Sequence, residues 1–210
     1  EYWTGVGGCE GDAGDIEIHF VDSIVPGYFW IFPVSDDVVN VGVGMVINLL
    51  KKEKNADLRI LASGITLRFA LEAVEKLQNY GIKADVWSIT SFNELARGGI
   101  EADHESIEGS SNKKSYVESC FQDDLPTVAV SEYQKLYSEQ IRKWVNGNYI
   151  CLGTDGFGRS DTRKNLRDFF EIDSNHIAYN ALLASKLFIE ARKFKNKYNI
   201  KLNSVSPYKR

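Results

Sequence analysis

The chain has 210 residues, 43% of them hydrophobic, which is enough for one sizeable core or for a domain with an appendage. A formal net charge of −4 argues against a dedicated nucleic-acid binder, which needs a clustered excess of Lys and Arg against phosphate. No apolar run approaches the roughly 18 residues that cross a bilayer, so no membrane span is expected.

Two further features bear on compartment. The opening Glu1-Tyr2-Trp3-Thr4-Gly5 has neither the basic start nor the apolar middle of a signal peptide. Cys9, Cys120 and Cys151 are odd in number and widely spaced, against a disulfide framework or a structural zinc site. A cytoplasmic location is the expectation. His19, His104 and His176 are equally scattered and form no metal-binding pair.

In chain order, Asp15-Ile16-Glu17-Ile18-His19-Phe20 alternates as a half-buried strand, and Pro26-Gly27 signals a turn. Tyr28-Phe29-Trp30-Ile31-Phe32 reads as a second strand stopped by Pro33. After the turn Ser35-Asp36-Asp37, a third runs from Val38 to Val46. Residues 1–50 are thus expected to form an antiparallel β-meander, marginal alone because three strands are about the stable minimum. The charged stretch at 51–57 is expected to be a linker, with a second domain over 58–210.

From Leu58 the pattern alternates. Leu58-Arg59-Ile60-Leu61-Ala62 is a predicted strand, Leu67, Ala70, Leu71, Val74 and Leu77 mark one helical face, and Gly81 ends that helix. Ala84 to Ile89 is a strand, and Ser91 with Glu94 fits a capping box. Residues 98–112, polar and rich in Gly and Ser, read as an exposed loop whose Glu101, Asp103, His104, Glu105 and Glu108 form a solvated surface rather than a metal site.

Thr127 to Val130 and Tyr149 to Leu152 are two more strands, the second with a small buried Cys151. Between them Tyr133, Leu136, Tyr137, Ile141 and Trp144 mark a helix. Asp173 caps a last long helix through Ile177, Ala181, Leu182 and Leu187, continued by a basic stretch to Lys197. The alternation predicts an α/β domain with a mostly parallel sheet covered on both sides.

The turn from Leu152 to Arg163 organises this second domain. Three glycines, in the order G-x-x-G-x-G, connect a strand to a helix, and Asp161 is placed to cap that helix. A dinucleotide turn requires G-x-G-x-x-G, and no phosphate-loop Gly-Lys-Ser/Thr follows. The turn therefore reads first as structural, with Asp155, Arg159, Asp161 and Arg163 paired to neighbouring structure or to another subunit.

Two resemblances follow from particular residues. Tyr28-Phe29-Trp30-Ile31-Phe32-Pro33, followed by Asn40-Val41-Gly42-Val43-Gly44, resembles the middle of archaeal geranylgeranyl reductases, flavoproteins that saturate prenyl chains. The likeness implies a lipid-pocket role for Tyr28, Trp30, Phe32 and Pro33. The FAD-binding glycine motif and the later Gly-Asp-Ala-Ala segment of that family are missing.

Leu61 to Gly64, Ala84 to Leu95, Gln140-Ile141-Arg142 and Gly153-Thr154-Asp155-Gly156-Phe157-Gly158-Arg159-Ser160-Asp161 resemble the carboxy-terminal domain of homodimeric pyruvate dehydrogenase decarboxylating components. These are thiamine diphosphate enzymes of the transketolase superfamily. The likeness implies a transketolase C-terminal-like three-layer fold, a dimer or the thiamine-binding domains as partner, and a contact or active-site wall formed by Asp155, Phe157, Arg159, Ser160 and Asp161. The loop at 103–114 departs from the family pattern, without its Trp-Asn and His-Pro signatures.

In that family thiamine diphosphate and Mg are held upstream of this domain. The chain is accordingly expected to hold no catalytic, cofactor-binding or metal-binding residue of its own, and to be inactive alone. FAD belongs to the alternative reading, and a chimeric join with neither activity is a third.

Overall fold

The computed structural model describes residues 55–109 and 114–202 in full and, before them, the backbone of five strands. Pro26, the turn at Asp36-Asp37, Cys9, residues 15, 16 and 20, and the closing residues 203–210 lie outside the described residues. The chain divides into two units, Glu1–Val46 and Ile47–Arg210.

In the first unit β1 (Tyr2–Thr4), β2 (Glu17–His19), β3 (Gly27–Ser35) and β4 (Val38–Met45) form a sheet in the order β1-β4-β3-β2. Each neighbouring pair is antiparallel. Pro33 does not stop β3, which runs on to Ser35 with a register shift between the two. Proline has no amide to donate, so the ladder breaks locally while the chain stays extended. Tyr28, Trp30 and Phe32 fall at alternate positions of β3, in register with Gly44, Gly42 and Asn40 of β4, and Pro33 faces Val39.

The second unit carries a sheet in the order β5-β7-β6-β8-β9. Its four inner and far strands, β6 (Leu58–Ala62), β7 (Ala84–Ile89), β8 (Thr127–Val130) and β9 (Tyr149–Leu152), are parallel. The edge strand β5 (Ile47–Lys51) runs antiparallel to β7. The boundary therefore differs from expectation. Residues 47–51, expected to close the first domain and open a linker, belong to the α/β sheet, and Lys51 is the last residue of an edge strand. Edge strands commonly carry such charges because they discourage pairing with another chain.

The helices are α1 (Thr66–Gln78), α2 (Phe92–Ile107), α3 (Tyr116–Cys120), α4 (Lys135–Glu139), α5 (Arg163–Phe169), α6 (Ser174–Ala184) and α7 (Phe188–Lys197). Leu58, Ile60 and Ala62 of β6 share one core with Ala70, Val74 and Leu77 of α1, Ile177 and Ala181 of α6 and Phe194 of α7. The alternate positions of the pleat serve the other face: Arg59 lies 4.6 Å from the Phe121 ring centroid, and Trp87 meets Phe121 edge-on at 5.0 Å.

The expected loop at 98–112 is instead helical through Ile107. Gly99 is buried because the Trp144 indole lies where a Cβ would be, 2.5 Å from it, so a glycine that looks like a breaker is a contact point. Asp103 accepts hydrogen bonds from Lys143 at 2.5 Å and from Trp144 Nε1 at 3.3 Å, one turn on. The Ser91 hydroxyl accepts from the Glu94 amide at 3.2 Å, but the Glu94 carboxylate goes to Arg97 at 2.7 Å, so that cap is one-sided. The reciprocal box is at Ser115 and Glu118, opening α3, where the S-x-x-E spacing was the available signal.

The segment from Tyr133 to Trp144 is α4 followed by a 3-10 turn at Arg142–Trp144, not one helix. The last helix is likewise two. Lys186 takes a positive φ of 59°, its amide donates to Leu183 O at 3.0 Å, and the Leu187 amide reaches Leu182 O at 2.9 Å. This is the Schellman closure, normally flagged by glycine. Asp173 caps α6 as expected, accepting from the Asn175 and His176 amides at 3.0 and 2.9 Å.

Candidate association site at the carboxyl ends of the parallel strands

The chain leaves β6 for β7 on one side, whereas β8 lies on the other side of β6. That reversal makes a topological switch point, and in open α/β sheets the crevice outside the carboxyl ends there is where ligands and partners are met. Four connections emerge at this end: Ser63 to Ile65 after β6, Thr90 and Ser91 after β7, Ser131 to Gln134 after β8, and Gly153 to Thr162 after β9.

The last two are stitched together. The Thr154 amide donates to Tyr133 O at 2.8 Å and its hydroxyl to Glu132 O at 2.6 Å. Asp155 Oδ1 accepts from the Lys135 amide at 2.9 Å, at the start of α4. Gly153 allows this approach, since a Cβ there would stand 2.5 Å from Tyr133 O and 2.6 Å from Lys135 N. Gly156, with φ of 97°, then turns the chain outward.

Asp155, Phe157, Arg159, Ser160 and Asp161 consequently divide. Asp155 ties the two loops. The Arg159 guanidinium lies 4.2 Å from the Phe169 ring centroid. Asp161 Oδ1 accepts from the Thr162 amide at 2.6 Å and from Asn165 Nδ2 at 2.8 Å. It does not cap α5; the Thr162 hydroxyl does, accepting from the Asn165 amide at 3.3 Å. Phe157 and Ser160 are exposed. Arg159, Ser160 and Asp161 line a pocket of about 260 Å³ with Leu166 and Phe169.

A second pocket, of about 190 Å³, lies between α5 and the ends of β8 and β9. Arg163, Leu166, Arg167 and Phe170 approach it at helical spacing, facing Glu132 and Thr154. Arg167 donates through Nε and Nη2 to Glu132 Oε1 at 3.1 and 3.0 Å and lies 4.8 Å from the Phe69 ring centroid of α1. Glu132, Tyr133, Leu136 and Arg167 had no sequence signal beyond charge and spacing.

Two further groupings of titratable side chains lie outside the lining of these pockets. Burial pushes the Cys151 thiol up to about 12, and it donates to Glu139 Oε2 at 2.8 Å, so it is no nucleophile at neutral pH. Asp168, Asp173 and His176 bring one ligand-type atom each within 4.8 Å of the others. Yet Asp173 Oδ1 already accepts from two amides and from His176 Nδ1 at 2.8 Å, at the positive end of α6, where a cation is disfavoured. Of the lipid-pocket residues Tyr28, Trp30, Phe32 and Pro33, only the backbone register given above is described. Among the described residues no helix is long and apolar enough to cross a membrane.

The family model for the transketolase-like TK C-terminal domain matches residues 47–173, which begin with β5 and end at the cap of α6. This chain belongs to that family. The transketolase-like domain is 48% identical over 139 residues to the pyruvate dehydrogenase E1 component of Pseudomonas aeruginosa, covering 64% of this chain and 16% of that protein. The E1 component of Escherichia coli K12 is 39% identical over 158 residues, covering 71% and 18%. That of Buchnera aphidicola from Baizongia pistaciae is 36% identical over 198 residues, covering 86% and 22%. The chain thus spans 16–22% of the length of these relatives. A solved transketolase from Leishmania mexicana superposes with a TM-score of 0.48 at 20% identity, covering 68% of this chain and 18% of that one. A second family model, the geranylgeranyl reductase catalytic domain, matches residues 5–74.

Proposed function

We propose that the transketolase-like domain is the C-terminal assembly domain of a pyruvate dehydrogenase E1-type, thiamine diphosphate-dependent component. It associates with the thiamine-binding domains, and with a second copy of them, through the carboxyl-end loops. It forms a wall of the active-site region and supplies no catalytic group.

One observation carries this reading. Large apolar side chains are exposed on or just beyond the connections leaving the carboxyl ends of three parallel strands: Ile65 (45%) after β6, Tyr133 (69%) after β8 with Leu136 (71%) in the first turn of α4, and Phe157 (77%) after β9. Exposed large apolar groups gathered at one end of a sheet mark an interaction surface, because leaving them in water forfeits their burial free energy. The specific likeness of the Gly153 to Asp161 turn to E1 components supports the choice of partner.

Thiamine diphosphate with Mg requires oxygen ligands aimed at a diphosphate. In the trio Asp168, Asp173 and His176 the Asp173 carboxylate is committed to a helix start. The likeness to E1 components is what supports placing the cofactor on the partner domains. The chain is mixed with separately produced thiamine-binding domains of an E1 relative and followed by sedimentation and by pyruvate turnover. A complex and restored turnover support the role, and neither appearing, where the intact relative dimerises, refutes it.

The match over residues 5–74 favours a second reading for the first unit, a prenyl-lipid pocket fragment of a flavin-dependent reductase. Protection of Trp30 fluorescence by prenyl lipid and bound FAD absorbance would support it.

A further inference from the structure

The 190 Å³ pocket under α5 combines two chemistries. Its floor is apolar: Leu166 and Phe170 from α5, and the buried Ile172 that follows. Its rim is cationic. Arg167 is held by Glu132, which neutralises it. Arg163 also lines the pocket and has no hydrogen-bond or ion-pair partner among the described residues. The pocket therefore carries one uncompensated positive charge.

The position of that charge is unfavourable for the helix that bears it. Arg163 and Lys164 occupy the first turn of α5, which has no acid, although the helix dipole favours anions there. Helix stability does not account for Arg163. A guanidinium fork binds a carboxylate in two parallel hydrogen bonds, and an apolar wall beside it strengthens that pairing by excluding water. The position, at the carboxyl ends of β8 and β9, is where an open α/β sheet receives a small ligand.

We propose that this pocket binds a short-chain amphipathic monocarboxylate, its head on Arg163 and its alkyl chain against Leu166, Phe170 and Ile172. Glu132 tunes the site by withholding Arg167 from the anion. A monoanion matches the single free charge, and an alkyl chain matches the floor, which inorganic phosphate cannot cover.

The test uses the full 210-residue chain, free of any partner domain, so its outcome is separate from that of the association role. Hexanoate, hexanol, hexylamine and inorganic phosphate are titrated while the backbone amides of α5 and Ile172 are followed by NMR. Hexanoate produces saturable shifts there, and the other three bind at least about tenfold more weakly. Arg163→Gln, an exposed substitution, weakens hexanoate at least about tenfold. Glu132→Gln frees Arg167 and tightens hexanoate about threefold or more, an effect that a purely structural ion pair would not produce. Absence of saturable shifts, equal binding of hexanol or phosphate, or an unchanged affinity in either variant overturns the proposal.

Discussion

Gly153 and Tyr133 stand so close that the carbonyl oxygen of one occupies the side-chain space of the other: a Cβ on Gly153 would lie 2.5 Å from Tyr133 O. Gly153→Ala must push the two carboxyl-end loops apart and break the Thr154 amide bond to Tyr133. The expected loss is about 1–3 kcal/mol, the usual cost of overpacking against backbone. Urea unfolding at neutral pH measures it, and a midpoint equal to wild type would show that the loops are not joined there.

The neighbouring glycines of α2 predict opposite signs. Nothing stands within 4 Å of a Cβ on Gly98, whereas one on Gly99 meets the Trp144 ring at 2.5 Å. Gly98→Ala is expected to stabilise by about 0.5–1 kcal/mol through helix propensity. Gly99→Ala is expected to destabilise by about 1–3 kcal/mol, because the ring must move. Thermal melts of the two variants decide it; stabilisation by both would place Trp144 away from α2.

Arg59 is 1% exposed, and burial brings its pKa down from 12.5 to about 10, partly offset by Asp85. Its Nη2 pairs with Asp123, which is half-exposed, while Nη1 has no partner. The two ends of this pair are unequal. Asp123→Ala takes from a buried guanidinium the carboxylate bonded to it, leaving only Asp85 to offset the charge, and should cost about 2–4 kcal/mol, whereas Arg59→Met removes the buried charge and should be near neutral. Equal losses in denaturant melts would contradict this account.

Burial lowers the His176 imidazolium, but the hydrogen bond and charge of Asp173, with Glu171 and Asp168 behind it, outweigh that and hold its pKa above 6.5. Its contribution is complete below 6.5 and is lost as pH rises through the raised value. Burial raises the Asp173 carboxyl, and the bonds from the His176 ring and amide outweigh it, so its pKa lies below 3.8. That contribution is present above 3.8 and is lost as pH falls through the lowered value. Stability from the imidazolium therefore falls as pH rises from 6.5 through its raised value, and Asp173→Asn flattens that fall. NMR titration of His176 in both proteins checks the assignment; an unshifted titration in the variant refutes it.

Phe157 is 77% exposed at the tip of the glycine turn. Phe157→Ser should leave stability within about 0.5 kcal/mol of wild type, as surface changes do. If the turn is the contact, the same change weakens association with thiamine-binding domains by about tenfold or more. Unchanged sedimentation of the complex would remove Phe157 from the interface.

Local periodicity carried the α/β alternation. The apolar runs Leu58 to Ala62 and Thr127 to Val130 and the helical face from Leu67 to Leu77 were legible because burial on a strand or helix repeats at fixed spacing. Asp173 was legible as a cap because its bonds go to residues two and three positions on. Helix ends at Glu171 and Lys186 were not, since both take positive φ, of 61° and 59°, without a glycine to announce it. The course of α2 through Gly98 and Gly99 was hidden for another reason: the indole that covers Gly99 comes from Trp144, far along the chain.

Residue order alone established the alternating strands and helices, the glycine turn between β9 and α5, and the motif by which the family is recognised, because each rests on neighbours within a few positions. Tertiary structure alone decided that β5 joins the α/β sheet, that Asp155 binds the start of α4, and that Arg163 and Arg167 flank one pocket opposite Glu132. Those relations follow from the strand order β5-β7-β6-β8-β9, and strand order is set by long-range packing that no local pattern encodes.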